Sequence, residues 1–272
     1  MFHGFTYEHY NLSDYIDSLF QEFPAMQLVL SIGLADGVGN FVISDIRLGD
    51  AVVGIPTRKS ATAFGTSFDG LGGEGRLVWE QGPPAALAVS ALSKLEAMLP
   101  YEDSVDGCFS VPSLLHPRTF SRPHRDLDKL FLPTYLHEHA RSDCSVCEDS
   151  YLIRRSPRET GNIVVHQGSI ACTAPPHASE YERCANYLGE LGCLCVDQQQ
   201  TTPFGDFPCL LVRGIASYFD THPTPQWRNY AAAAAATVAR RVLAEIPPGE
   251  DPADYGAGYL TQDYLSVFNS SR

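Results

Sequence analysis

Hydrophobic positions along the chain follow two periods, one typical of helices and one typical of buried strands. Apolar residues three and four positions apart predict a helix over 8–23. A proline near the start of 84–98, followed by spaced apolar residues, predicts a second helix. Two more helices are predicted at 181–188, between two strands, and at 226–246, which contains six successive alanines. Short apolar runs predict strands, which lie at 27–33, 45–53, 162–171, 193–196 and 208–215. This order of elements predicts an α/β fold, a three-layer mixed, largely parallel sheet with helices on both faces.

Two regions interrupt the pattern. Residues 57–74 are rich in glycine, serine and threonine, which predicts a long loop or a hairpin. Residues 100–158, called the excursion from here on, mix prolines, histidines and charges without a clear period, as functional loops often do. We therefore expect a single domain over 1–246 that contains the excursion, followed by a peripheral C-terminal tail at 247–272.

Composition narrows the class of protein. The chain has 272 residues, of which 44% are hydrophobic, so it suffices for one domain with a core. The formal net charge of −13 gives no electrostatic basis for nucleic acid binding, and no nucleic acid partner is expected. No apolar run is long enough to cross a bilayer, and residues 1–5 lack the features of a signal peptide. We therefore expect a cytoplasmic protein without a membrane partner, in which the cysteines are reduced.

Four ordered segments between 29 and 246 carry a family pattern. They are Ser31–Gly33 with Asp45–Asp50, Gly168–Ala171, Leu191–Cys195 with Asp206–Leu210, and Arg213–Ile215 with Asp220–His222, Trp227 and Tyr230. These segments resemble the nucleoside phosphorylase and nucleosidase superfamily, in particular its fungal subgroup of purine and uridine phosphorylase-like proteins. The resemblance implies an α/β domain with a pocket for a small molecule, and symmetric homo-oligomers. Because relatives carry more residues before the glycine-rich strand, it also implies a shortened or replaced N-terminal part.

The resemblance further implies which positions border the pocket. The predicted substrate-binding residues are Gly33, Ile170, Ala171, Cys172, Gln198, Gln199, Ser217, Tyr218 and His222. Gln199 stands where the family has a glutamate for the sugar hydroxyls, and a neutral amide is the weaker acceptor. Core packing is an equal alternative for Tyr218. Cys172 is interpreted as a buried thiol, because nothing electropositive adjoins it in sequence.

The chemically active positions depart from the family. A Glu-Met-Glu triplet of the family is Asp197-Gln198-Gln199 here, and the family's catalytic aspartate is Ser217. A serine hydroxyl is too weakly acidic to protonate a leaving group near neutral pH. The family's glycine run holds phosphate or the nucleophilic water, whereas here Leu34-Ala35-Asp36 follow Gly33, and the Asp36 carboxylate would repel phosphate. The resemblance therefore specifies the fold better than the reaction.

Three residues are the predicted acid or base candidates. Asp197 keeps a carboxylate beside the implied pocket, one methylene shorter than the family's glutamate. Asp220 follows a strand at the edge where open α/β sheets place ligands, although an orienting or structural role is the alternative. His166 lies in the predicted strand 162–171, where a lone histidine is more often a satisfied core residue than a catalytic group.

The excursion contains a candidate metal-binding pattern. His137, His139, Cys144 and Cys147 follow the spacing H-x-H-x4-C-x2-C. Two thiolates and two imidazoles suit tetrahedral zinc, and such a site would be structural because the protein fills all four positions. A surface loop with incidental histidines and cysteines is the alternative. No other cofactor is expected.

Three functions follow as hypotheses. The favoured one is an enzyme whose pocket is repurposed for cyclisation, isomerisation or elimination of a non-nucleoside small molecule, as in fungal secondary metabolism. The second is a true nucleoside phosphorylase or hydrolase in which Asp197 or Asp220 replaces the lost acid. The third is a non-catalytic binding protein that keeps the fold. Release of free base from nucleosides would separate the second hypothesis from the other two.

Overall fold

The computed structural model describes residues 18–23, 26–39, 45–68, 74–98, 111, 117–137, 144–158, 161–198 and 208–247. Strands in these ranges are β1 (Val29–Gly37), β2 (Ala51–Gly54), β3 (Ala63–Phe68), β4 (Gly75–Gln81), β5 (Val165–Cys172), β6 (Cys193–Asp197) and β7 (Cys209–Tyr218). Helices in the same ranges are α1 (18–22), α2 (Ala86–Met98), α3 (Pro117–Phe120), α4 (Tyr181–Glu190) and α5 (Arg228–Glu245).

The predicted strands and helices are confirmed in their order, with differences at their ends. β1 and β7 both run further than predicted, because they pair in parallel along their whole length. Residues 57–74 contain one strand, β3, whose antiparallel partner β4 lies beyond them, so a hairpin forms but extends past the predicted range. The helix predicted over 8–23 is confirmed for 18–22, and 8–17 lie outside the described residues.

The sheet closes on itself. Its order is β2-β7-β1-β6-β5-β3-β4, and an additional pairing of β2 with β5 joins five strands into a ring. Parallel pairs (β1–β7, β2–β5, β3–β5 and β5–β6) are mixed with antiparallel pairs (β1–β6, β2–β7 and β3–β4). The mixed α/β character is thus confirmed, while the predicted three-layer arrangement is corrected to a closed barrel extended by β3 and β4. Apolar runs identify strands, but the β2–β5 pairing is a long-range contact that no local pattern encodes.

Helix α5 approaches the barrel closely. It packs against β7, β1 and β2, and α2 packs on its other side. Six successive alanines, Ala231–Ala236, lie in α5 and keep its surface small. At Gly214 of β7 a Cβ atom would lie 1.9 Å from the carbonyl oxygen of Ala231. Glycine is therefore required at this contact, which sets the height of α5 above the barrel.

The described parts of the excursion carry little regular structure, as predicted. Besides α3 and short 3-10 turns, an isolated bridge joins Phe131 to Leu152. Arg158 forms an ion pair with Asp50 at 2.5 Å, which attaches the excursion to the turn before β2. The domain and tail boundaries stay predictions, because 248–272 lie outside the described residues. None of the described helices has the length and apolar character needed to cross a membrane.

Candidate active site

A cavity of about 450 Å³ opens where β1, β6 and β7 end and α5 begins. Its lining includes Asp36, Gln198, Ser217, Asp220, His222 and Arg228. Polar side chains gather here because β1 and β7 are parallel, so their carboxyl ends meet at one edge. A second cavity, of about 510 Å³, lies beside α4, and none of the predicted site residues lines it.

A bulge in β7 brings Asp36 and Ser217 together. The β1–β7 register shifts by one residue at Ala216, after which Asp36 lies opposite Ser217. Such a bulge changes the direction of the side chains that follow it. The Ser217 hydroxyl donates a hydrogen bond to Asp36 Oδ1, and Gln198 Nε2 donates to the same oxygen at 2.6 Å. Gln198 Oε1 in turn accepts from Arg228 Nη1 at 3.3 Å, so one network joins β1, β6, β7 and α5.

Among the described residues, the Asp36 carboxyl accepts hydrogen bonds from neutral donors and forms no direct ion pair. Burial raises the pKa of Asp36 above its usual value of 3.8. The hydrogen bonds from Ser217 and Gln198 and the charge of Arg228 oppose this rise only in part, and nearby Asp197 adds to it. A carboxylic acid with a raised pKa suits proton donation near neutral pH.

Asp220 is a second carboxyl on the cavity wall, and the residue is half-buried. Its Oδ1 accepts the backbone N–H of His222 at 2.7 Å, whereas its buried Oδ2 has no hydrogen-bond partner among the described residues. Burial raises the pKa of Asp220 to about 8, and the negative charge of Asp36 adds to this. The structure therefore places the predicted candidate Asp220 in the cavity, where both an orienting and a chemical role remain predictions.

Asp197 has a different environment from the one expected of an acid or base. Its Oδ2 accepts from Arg213 Nη2 at 2.8 Å, and the side chains are 1% and 0% exposed respectively. Arg213 also donates to the carbonyl oxygen of Ser31 at 2.8 Å. A fully buried, directly paired carboxylate suits a structural role, and the role of Asp197 as acid or base stays a prediction.

His166 lies outside the cavity lining. Its Nε2 is 2.9 Å from Asp50 Oδ2, and Asp50 also pairs with Arg158. This cluster joins β5, the turn before β2 and the excursion. The position matches the alternative stated for His166, that of a satisfied structural histidine.

The remaining predicted substrate residues divide into two groups. Gln198, Ser217, Tyr218 and His222 line the cavity. Gly33 lies in β1 opposite Arg213, and Ile170, Ala171 and Cys172 are buried in β5 away from the lining, so the implied contacts of these four with a ligand are not seen. Gln199 lies outside the described residues. The Tyr218 hydroxyl donates to Asp128 Oδ1 at 2.5 Å, which ties the cavity wall to the excursion.

Part of the predicted metal pattern also converges beside the cavity. His137, Cys144 and Cys147 form a group with His222, and the ligand atoms all lie within 4.8 Å of one another. His139 lies outside the described residues. The group could hold a metal ion, and its fourth member comes from the end of β7 and not from the excursion.

Two cavity residues were missed as contributors to chemistry. Asp36 was interpreted only as a group that repels phosphate. The bulge at Ala216 decides which side chain of β7 lies opposite Asp36, and the sequence does not indicate that bulge. Arg228 carries no motif, since it is simply the first residue of α5. Because α5 begins beside the end of a strand, its first residue can reach a site at that edge of the sheet. This position is the signal that could have indicated Arg228.

No protein-family model matches the chain. The chain is 27% identical over 241 residues to a nucleotide-binding leucine-rich repeat (NLR)-like protein of the organism Hyaloscypha variabilis. The alignment covers 85% of this chain and 23% of that protein, so the chain spans about a quarter of this relative's length. The match therefore relates the chain to one region of a much longer protein.

Several solved nucleosidases are similar in structure. Futalosine hydrolase of Helicobacter pylori gives a TM-score of 0.43 at 14% identity, over 86% of this chain and 74% of that one. The 5'-methylthioadenosine/S-adenosyl homocysteine nucleosidase of H. pylori gives 0.41 at 13% identity, covering 86% and 73%. The corresponding nucleosidase of Neisseria meningitidis, in complex with methylthio-immucillin-A, gives 0.41 at 15% identity, covering 86% and 74%. Similarity at this level does not carry an activity over to this chain.

Proposed function

We propose that the protein hydrolyses the glycosidic bond of a small, uncharged, nucleoside-like molecule in the cavity, with Asp36 as the general acid. The observation that supports this proposal is the contact between Asp36 and Ser217. The resemblance implies that the family's acid stands at position 217, and here a carboxyl from the paired strand meets the side chain at that position. In this proposal, Asp36 of β1 takes the place of the acid that the family has at position 217.

In the proposed step, water adds across the bond between the anomeric carbon and the leaving-group nitrogen. Asp36 donates its proton to the leaving group, the water oxygen bonds to the carbon, and a proton of that water returns to the Asp36 carboxylate. Both hydrogen bonds, from Ser217 and Gln198, fall on Oδ1, so we assign the transferred proton to Oδ2. A positioned general acid contributes about 10²–10⁴ in rate.

Phosphorolysis is disfavoured by the charge around the cavity. Asp36 and Asp220 both line it, and Asp36 follows the glycine-rich strand end where the family would hold phosphate. These carboxyl groups would repel a phosphate dianion when they are ionised. Arg228 is the one cationic side chain among the described lining residues. Hydrolysis without phosphate is therefore the better fit.

The pH dependence follows from the groups that face Asp36. Burial raises its pKa most, Arg228 on α5 lowers it and Asp197 on β6 raises it. Asp220 after β7 and Tyr181 on α4 also interact with its charge. Because the acid must be protonated, kcat/KM should fall as pH rises through the raised pKa of Asp36.

A base-release assay tests the proposal. Purified protein is incubated with inosine, adenosine and methylthioadenosine, with and without phosphate, and free base is measured by chromatography. We expect release from at least one nucleoside without phosphate, and a loss of about 10²–10⁴ in rate for Asp36→Asn. The exposed Asp126→Asn serves as the matched control. No base from any nucleoside at high protein concentration would rule the proposal out.

A relocation variant makes the test sharper. Asp36→Ser combined with Ser217→Asp moves the carboxyl to the position that the family uses, while the two groups remain opposite each other. We expect this double variant to recover part of the rate that Asp36→Ser loses. Ser217→Asp alone should not raise the rate, because it sets two carboxyl groups against each other. A rate increase for that single variant would show instead that the acid was missing.

A second candidate function is ligand recognition without catalysis. It is supported by the alignment of most of this chain to 23% of an NLR-like protein. On this hypothesis the cavity binds a small molecule as one module of a longer chain, and binding without turnover would be measured by calorimetry. The predicted cyclisation, isomerisation or elimination has no support from the comparisons.

A further inference from the structure

Four potential metal ligands from two distant parts of the chain meet beside the cavity. His137, Cys144 and Cys147 come from the excursion, and His222 follows β7. His137 Nδ1 lies 3.3 Å from Cys147 Sγ, and His222 Nδ1 lies 3.7 Å from both Cys144 Sγ and Cys147 Sγ. Cys147 and His222 are buried, while the other two are half-buried.

These separations suit a tetrahedral ion. Zinc binds cysteine sulfur at about 2.3 Å and histidine nitrogen at about 2.0–2.1 Å, so the ligand atoms around it stand about 3.3–3.8 Å apart. The distances of 3.3, 3.7 and 3.7 Å fall in this range, and all the ligand atoms of the group lie within 4.8 Å of one another. Two thiolates and two imidazoles also form a donor set that favours zinc.

The surroundings of His222 orient its ring for coordination. Its Nε2 lies 2.9 Å from the carbonyl oxygen of Tyr135, which only a protonated nitrogen can approach as a donor. This hydrogen bond assigns the proton to Nε2 and leaves the lone pair of Nδ1 directed at the cysteines, the arrangement found for metal-bound histidines. Phe131 stacks on the ring with centroids 4.1 Å apart and holds it in plane.

We infer that His137, Cys144, Cys147 and His222 form a structural zinc site that fastens the excursion to the cavity wall. The protein supplies all four ligands, so the ion has no open position for a substrate or water. The backbone N–H of His137 also donates to Thr221 Oγ1 at 2.8 Å, which brings the same two segments together. The inference is independent of the proposed hydrolysis, because it concerns how the wall is held and not what reacts there.

This site changes one ligand of the pattern predicted from sequence. His139 was predicted to be the fourth ligand because it lies close to the other three in the chain. His222 takes that place because the end of β7 runs beside the excursion, 75 residues beyond Cys147. Local spacing therefore identified three ligands, and the fourth depends on the fold.

Metal analysis of the purified wild-type chain is the first test. We expect a zinc-to-protein ratio near one after dialysis, and a ratio near zero for Cys147→Ser and for His222→Asn. His139→Ala should keep the zinc, as should the matched controls His124→Asn and Cys184→Ser, which change a histidine and a cysteine outside the group. Replacement with cobalt(II) should give the visible bands of a tetrahedral thiolate–imidazole site in the wild type and not in Cys147→Ser.

Several outcomes would overturn the inference. These are wild-type protein without zinc, a disulfide between Cys144 and Cys147 found by mass spectrometry, and zinc that is lost in His139→Ala but kept in His222→Asn. The zinc ratio and the cobalt(II) spectrum of the wild type depend on no variant, so a variant that folds poorly does not decide the result. Base release is a separate readout, so failure of the proposed hydrolysis leaves the zinc result intact.

Discussion

Two carboxyl groups near the end of β6 lie in contrasting regions of the barrel. Asp197 is in the interior, where Arg213 pairs with it directly and both side chains are fully buried. Asp36 lies at the rim, next to the residue of β1 that pairs with Asp197, and its partners are the neutral Ser217 and Gln198. The interior group is paired directly with a guanidinium, whereas the rim group has a raised pKa beside a cavity.

This difference shows that partners, and not position in a motif, decide which carboxyl can donate a proton. Sequence reasoning favoured Asp197 because it keeps a charge where the family has glutamate. A guanidinium contact stabilises the ionised form, so it works against proton donation. The neutral hydrogen bonds of Asp36 do so less strongly.

The largest expected effect lies in the interior. Arg213→Met would take the guanidinium away from the buried Asp197, and the free energy of unfolding in urea should fall by about 3–5 kcal/mol. Adding Asp197→Leu to this variant should recover much of the loss, because no unpaired charge remains. The exposed Arg76→Met is the control. A loss below about 1 kcal/mol for Arg213→Met would mean that the pair is not the fixed centre described above.

A smaller effect is expected where the rim meets the excursion. Tyr218→Phe removes the hydroxyl that donates to Asp128, and a buried acceptor left with fewer partners costs about 1–3 kcal/mol. Urea unfolding measures this, with the exposed Tyr151→Phe as the reference. Equal stability of the two variants would indicate that Arg155, which also pairs with Asp128, suffices alone.

At the rim itself a still smaller effect is expected. Ser217→Ala removes one of the two neutral donors of Asp36 and should lower stability by about 1 kcal/mol. The same change should raise the pKa of Asp36 further, since a hydrogen bond to its charged form is lost. The alkaline limb of kcat/KM should therefore move to higher pH. A shift to lower pH would contradict the assigned contact.

The last prediction concerns the pH dependence of stability. Because the pKa of Asp36 is raised in the folded state, its contribution to stability is present below 3.8 and is lost as pH rises through the folded value. The Asp36→Asn variant has no carboxyl group to ionise at this position. Its free energy of unfolding should therefore increase relative to that of the wild type as pH rises through this range. Melting curves recorded at increasing pH from about pH 4 upward would show it. Parallel curves would mean that Asp36 ionises equally in both states.

Much of the fold could be predicted, because helices and strands leave a period in the sequence. The barrel closure could not, since it depends on which strands pair. Among site residues, Ser217, Asp220 and His222 were identified by resemblance and do line the cavity. The role of Asp36 was missed because one extra residue in β7 decides which side chain faces it.

Closure of the barrel also determines where this protein can be extended. Within the described ranges, β4 is the strand with a single neighbour, so it is the outer edge of the sheet. Its Leu77 and Val78 are 47% and 59% exposed. Among the described strands, β4 is therefore the one to which a further strand could be added.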